Sequence, residues 1–464
     1  MPYHFPILYT PAQPHAFGAV TICYSAVRGK VGAIYMSGRV KRALHAVHQA
    51  IRPGGAYHLD TYHALTPVRF QPCTVGSGRR LNLFIPNIER SRMYGGQKTA
   101  FRFFTALLDA CGGDARILVE QPCDAHQLEV LREQYPDWQI IGAGEQSAAA
   151  RQIVILDPDT RERTQLPVRP LDYFVYTYWT GAYALAQYEA FQRETFGRAT
   201  PHIHLIQDFE PGFKAWSADY LLADSIYHQP NTIAVFNSTE LKDWFDRLGY
   251  GFTSSYVFSP KLDPDIAKHL HDVPADHARE KLLVFYGRPS IPRNCFPLIV
   301  NALNLLLTRH PEVSREWKIL SIGSSIGKIT LADGQRLQTA GKMTLDDYAA
   351  LMHRASVGVS LMCSPHPSYP PLEMAAFGIT TITNSFVTKD LSAIPHITSL
   401  DALSIEGLAN AIWQAMQADP HADDGKPYPP NYAHYLEYTD FFDGIIDPLC
   451  REVLTDAEAA RNGD

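Results

Sequence analysis

Arg288 and Arg293 stand five positions apart in the segment Gly287-Arg288-Pro289-Ser290-Ile291-Pro292-Arg293-Asn294. A pair of guanidiniums offers fixed charge and several donors, the chemistry that suits a diphosphate; the plain alternative is solvation or pairing with nearby carboxylates. A second cluster runs from Ser364 to Gly378, with prolines at 365, 367, 370 and 371 and a carboxylate at Glu373. A rigid proline loop opening a helix, with Glu373 in the first turn, would set backbone N–H groups beside a carboxylate that accepts hydroxyls. The bland account is a glutamate favouring its own helix dipole.

Both clusters come directly after short apolar runs, at 282–286 and 357–361, that read as buried strands. Runs at 81–85, 116–120, 139–141, 152–156, 173–176, 202–206 and 232–236 alternate with helical patterns, and so do later runs at 318–322 and 380–383. Such alternation predicts parallel sheets covered on both faces, and ligands bind at the carboxyl ends of such strands. The proline- and charge-rich stretch 259–280 breaks the rhythm. The expected organisation is an N-terminal extension (1–80), a Rossmann-like domain (81–262), a linker (263–280), a second Rossmann-like domain (281–430) and a C-terminal helix and tail (431–464). A helix around 40–51 is the single element expected in the extension, and a last helix is expected from about Tyr432.

The formal charge of −7, without a long basic block, argues against nucleic acid as a partner. Seven scattered cysteines without a C-x-x-C spacing point to a reducing cytosol. Residues 1–6 show no signal-peptide start, and no apolar run is long enough to span a bilayer. The expected place is therefore the cytoplasm, with peripheral contact at the inner face of the plasma membrane if the acceptor is lipid-linked.

The order of these motifs resembles the donor half of GT-B glycosyltransferases and, more closely, the WsaF-like rhamnosyltransferases. The resemblance rests on Tyr94-Gly95-Gly96-Gln97-Lys98-Thr99-Ala100, Gln207-Asp208-Phe209-Glu210-Pro211, Tyr286-Gly287-Arg288-Pro289 with Pro292-Arg293-Asn294, residues 368–378, and Asn384-Ser385-Phe386 with Lys389-Asp390-Leu391. It implies two doubly wound domains facing across a cleft, with the C-terminal helix returning to the N-terminal domain. It also implies transfer of a sugar, rhamnose from dTDP-rhamnose, to a growing glycan, with retention and without a metal. The nucleotide sugar would be a co-substrate, with no cofactor. By the same resemblance Gly95 and Gly96 form a loop that lets backbone approach the substrates, and Asp208 and Glu210 lie near the acceptor hydroxyl. Arg288 and Arg293 neutralise the departing diphosphate, Lys342 lies at the nucleobase, and Ser368, Tyr369 and Glu373 hold the donor. Two departures stand out. Pro365 occupies the position of a glutamate found in many retaining relatives, and Arg293 replaces a common lysine, keeping charge but not geometry. Asp208 is the candidate base if the reaction inverts.

Competing readings are weaker. Gly323-Ser324-Ser325-Ile326-Gly327 matches G-x-S-x-G, but a hydrolase needs a helix directly after Ser325, and residues 328–334 read as a turn or strand. Neither His45 with His48 nor His202 with His204 has a third ligand nearby, so no metal site is expected. The aromatic stretch 173–183 reads as core packing before sugar stacking. A silent sugar-nucleotide-binding protein would keep Arg288, Arg293 and Glu373 without turnover.

Overall fold

The computed structural model describes residues 59–461, apart from 77, 92, 94, 275–276, 420–424, 438–440 and 443. The helix expected around 40–51 lies outside the described residues. Ten strands precede residue 260: β1 (Arg69–Pro72), β2 (Arg80–Ile85), β3 (Asp114–Val119), β4 (Gln139–Ile141), β5 (Arg151–Ile155), β6 (Gln165–Val168), β7 (Asp172–Tyr176), β8 (His202–Ile206), β9 (Thr232–Phe236) and β10 (Ser254–Val257). Six more come after it: β11 (Leu282–Gly287), β12 (Lys318–Gly323), β13 (Gln338–Gly341), β14 (Val357–Val359), β15 (Thr380–Asn384) and β16 (Ile397–Leu400). The helices that matter for the site are α1 (Gly95–Cys111), α2 (Phe296–Arg309), α3 (Leu345–Arg354), α4 (Tyr369–Ala376) and α5 (Ile446–Arg461).

Two large parallel sheets and a two-stranded one (β1-β6) result among the described residues. One large sheet has the order β10-β9-β8-β7-β2-β3-β5-β4 and the other β13-β12-β11-β14-β15-β16. Every residue of β2 is buried, Arg80 and Asn82 included, as a strand covered on both faces requires. Its side chains alternate between two cores. Leu81, Leu83 and Ile85 meet Phe103 and Leu107 of α1, whereas Phe84 meets Tyr176 and Leu185 on the other face.

The α5 helix belongs to the first of these cores. Its Leu449, Cys450 and Val453 pack with Leu81 and Phe103, and the Tyr173 hydroxyl donates to the Val453 carbonyl at 3.0 Å. Glu452 accepts from Ser254 (2.7 Å) and Tyr256 (2.6 Å), fastening the edge strand β10. The chain thus crosses to the second sheet and returns to the first, as the family resemblance implies. The expected start near Tyr432 is instead a single 3-10 turn, Pro430–Tyr432, and the last helix begins only at Ile446.

Further features escaped sequence reading, among them the short strands β6, β10, β13 and β16. Strand β1, inside the stretch assigned to the extension, pairs in parallel with β6, and Phe70 packs against Phe174 and Phe191. Four residues ending in proline carry too little periodicity to show as a strand. Within 259–280, Leu262 and Ile266 join the core of the second sheet, so this stretch is anchored rather than loose.

At the amino ends of the strands, opposite the cleft, sits a buried charge cluster. Arg80 donates to both oxygens of Asp172 at 2.7 Å, and Arg116 approaches the same carboxylate at 3.5 Å. Burial alone would raise the Asp172 carboxyl, but the paired Arg80 outweighs it and holds it below the ordinary carboxylate range. Removing one partner leaves buried, uncompensated charge. Asp172→Ala should therefore destabilise the fold by about 3–5 kcal/mol in urea titration. A loss under ~1 kcal/mol, the size of a surface pair, would contradict this account of the cluster.

Candidate functional site

The carboxyl ends of both sheets face one cleft of about 390 Å³. From the first sheet come the start of α1 and the turns after β7, β8 and β9; from the second come the turn after β11 and the loop leading into α4. Gly95, Gly96, Asp208, Glu210, Arg288, Arg293, Ser368, Tyr369 and Glu373 all line it. Lys342 does not. It borders an adjoining hollow of about 240 Å³ together with Gly341 and Met343.

Gly95 and Gly96 are the first residues of α1 rather than a loop before it. A Cβ on Gly96 would come 3.0 Å from the Gln207 amide, whose nitrogen donates to the Gly96 carbonyl at 2.9 Å and also reaches Thr177. Gln207 thereby pins the helix start to the turn after β8. Gly287 closes β11, where a Cβ would overlap the Ser321 hydroxyl at 2.1 Å. Only glycine lets β11 and β12 approach there and deliver Arg288 to the cleft.

Arg288 is partly buried, and no carboxylate pairs with it among the described residues. Arg293 sits in the 3-10 turn Pro292–Asn294, with its backbone carbonyl accepting from Cys363 at 2.7 Å. Its guanidinium lies 4.0 Å over the Phe213 ring and its Nε is 3.6 Å from Asp208. Asp208 also accepts from the Ser364 hydroxyl, so two groups of the second sheet reach across to one carboxylate of the first. The loop between them is wound tightly. His366 donates its backbone N–H to Ser364 Oγ at 3.1 Å, and Ser368 donates its N–H to His366 Nδ1 at 3.0 Å. Burial pushes the His366 imidazole down to about 4, so it is neutral near pH 7.

The start of α4 differs from expectation in two ways. Glu373 is the fifth helical residue, in the second turn, and not in the first. Pro370 and Pro371 also remove two of the first three helical N–H groups, and the Ser368 N–H is already used. This helix start therefore offers an anion fewer donors than the spacing predicts, and the positive character of the cleft rests on the arginines.

Two carboxyls are strongly perturbed. Burial pushes Glu210 up to about 8, with Asp208 adding to the rise, against the Trp179 N–H that donates to it at 2.6 Å and the nearby Arg293. Burial likewise pushes Glu373 up to about 7, opposed by the Tyr348 hydroxyl at 3.0 Å. Perturbed acids gathered in a cleft are the usual mark of a functional site.

Several lining residues were missed: Thr177, Tyr178, Gln207, Phe213, Asn237, Tyr286, Tyr348 and His366. The aromatic stretch was a usable signal, since Tyr173, Phe174 and Tyr176 are core while Tyr178 faces the cleft. The strand end separates the two roles. After Gly323 the chain forms a bridge between Thr330 and Arg336, without the helix a serine nucleophile at Ser325 would need. No cluster of three or more metal-binding side chains occurs among the described residues.

Comparison with known proteins places this geometry. Residues 80–239 match the WsaF N-terminal domain and residues 281–413 the WsaF C-terminal domain, together more than half of the chain. The O-antigen biosynthesis protein RfbC of Myxococcus xanthus is 28% identical over 213 residues, covering 46% of this chain but only 15% of that relative's length. Among solved structures, the OtsA apo structure aligns with a TM-score of 0.51 at 11% identity, covering 82% of this chain and 98% of that one. A sucrose-phosphate synthase from Thermosynechococcus elongatus aligns at 0.49 and 13% identity, covering 82% and 100%. The OtsA likeness speaks for the fold.

The raised Glu210 acid has a measurable consequence. Its folded value of about 8 lies above the ordinary ~4.3, so its protonated form stabilises the fold below ~4, and that stability is lost as pH rises towards 8. Glu210→Gln cannot titrate. The melting temperature of the variant relative to wild type should climb between pH 5 and about 8 and then level off. A pH-independent difference would refute the burial of an ionisable acid there.

Proposed function

Because the chain belongs to the WsaF family of GT-B glycosyltransferases, we propose that it transfers a sugar from a nucleoside diphosphate donor to a glycan, with the donor's diphosphate bound between Arg288 and Arg293. The observation that carries this reading is the convergence of both guanidiniums on one cleft that also holds Asp208, Glu210 and Glu373. A nucleoside diphosphate leaves with negative charge growing on its bridging oxygen. Arg293, already oriented by a 3-10 turn and an aromatic ring, and Arg288 on the same cleft stabilise that charge.

The donor runs from the hollow beside Lys342, which takes the base, past Glu373 to the arginines. Glu373, Tyr286 and Tyr348 line both spaces and mark the passage between them. Ser368 and Tyr369 border the transferred sugar. Asp208, held by Ser364 and Arg293, faces the acceptor hydroxyl, and protonated Glu210 lies behind it as a donor rather than a second anion. The proposed donor is dTDP-rhamnose and the proposed outcome retention at the anomeric carbon, both following the WsaF family. The acceptor is a growing polysaccharide, in keeping with a relative named for O-antigen biosynthesis. No described helix is long and apolar enough to cross a membrane, so a lipid-linked acceptor would be met at the membrane surface.

Removing one positioned donor to a developing anion slows turnover by roughly 10²–10³-fold. Arg288→Ala should lower dTDP release from dTDP-rhamnose by that amount while its thermal melt stays close to wild type. Release at the wild-type rate would contradict the donor assignment, and a collapsed melt would assign Arg288 to folding instead.

A further inference from the structure

Tyr348 sits in the first turns of α3, a helix capped by Thr344, whose hydroxyl accepts from the Asp347 N–H at 3.1 Å. Its hydroxyl donates to Glu373 Oε2 at 3.0 Å. Both residues line the cleft and the adjoining hollow, so the pair stands where a nucleotide stretched between the two would lay its ribose. A carboxylate has two oxygens, and the two vicinal hydroxyls of a ribose engage it most strongly when each takes one. In this chain one of the two, Oε2, already accepts from within the protein, so it is the weaker and more crowded acceptor for a second donor. The Tyr348 phenol is also a durable donor, since burial and the neighbouring carboxyl raise it well above the ordinary tyrosine range.

We propose that Tyr348 is a specificity-determining residue: by engaging Glu373 Oε2 it leaves Oε1 as the one oxygen without a partner from the protein, which fits the lone 3′-hydroxyl of a 2′-deoxyribonucleotide and lessens the return for a 2′-hydroxyl. The inference rests on the donor reading above and goes further, assigning sugar-ring discrimination in the nucleotide to one phenolic oxygen. Nucleotide choice thereby depends on a side chain of α3 and not only on contacts with the base.

The test uses the whole chain and two nucleotides that differ only at the 2′-position, dTDP and 5-methyl-UDP, titrated by calorimetry against wild type and Tyr348→Phe. Wild type should bind the two within about threefold of each other or favour dTDP. Tyr348→Phe relieves Oε2 of its internal donor, and the ratio should move about tenfold towards 5-methyl-UDP, the worth of one hydrogen bond. Wild type binding 5-methyl-UDP tenfold more tightly than dTDP overturns the inference without any variant. A folded Tyr348→Phe protein with an unchanged ratio also overturns it, while leaving the donor reading intact. Failure of both nucleotides to bind wild type removes the donor reading, and the inference with it.

Discussion

Arg293 lies between the two sheets, its guanidinium 4.0 Å over the Phe213 ring and 3.6 Å from the Asp208 carboxylate, while its own backbone is held by Cys363. The side chain comes from the second sheet and its partners from the first, so this cation, with Ser364 on Asp208 and Thr388 and Tyr432 on Glu240, ties the two lobes together at the cleft. On the proposed reading, a diphosphate arriving between Arg288 and Arg293 would meet a guanidinium that is already partly desolvated and oriented. It would also compete with Asp208 for that guanidinium, linking donor entry to the availability of Asp208 by charge. Ser364 then remains as the group that keeps Asp208 in place.

The rest of the molecule serves to concentrate charge at one end of the strands and neutralise it at the other. At the amino ends, Arg80, Arg116 and Asp172 satisfy one another in the interior. At the carboxyl ends, Glu210 and Glu373 are pushed towards their neutral forms by burial, and His366 is kept uncharged for the same reason. Arg288 and Arg293 are thus the dominant positive groups in a wall where much of the potential opposing charge is muted. Helix α5 returning to the first core keeps that sheet's edge strand fastened while the chain passes through the second.

Much of this was legible in residue order. Short, mainly apolar runs such as Leu81 to Ile85 and Leu282 to Tyr286 announced parallel strands, because such strands are buried on both faces. Arg288 and Arg293 were legible in the segment that follows such a run and Asp208 through the family resemblance, and all three line the cleft. The features that stayed hidden depend on contacts distant in sequence. Gln207 matters through Gly96, more than a hundred residues away, and Tyr348 through Glu373. Strand β1 was too short to show a period, and the donor capacity of the α4 start was overestimated because Pro370 and Pro371 had to be placed inside the helix before their missing N–H groups counted.

The most direct measurement is a crystal structure of the chain soaked with dTDP. The account predicts both phosphates in the cleft, with oxygens at hydrogen-bond distance, ~3 Å, from the Arg288 and Arg293 guanidiniums and the base in the hollow beside Lys342. A nucleotide bound elsewhere, or one whose phosphates turn away from both arginines, would contradict it.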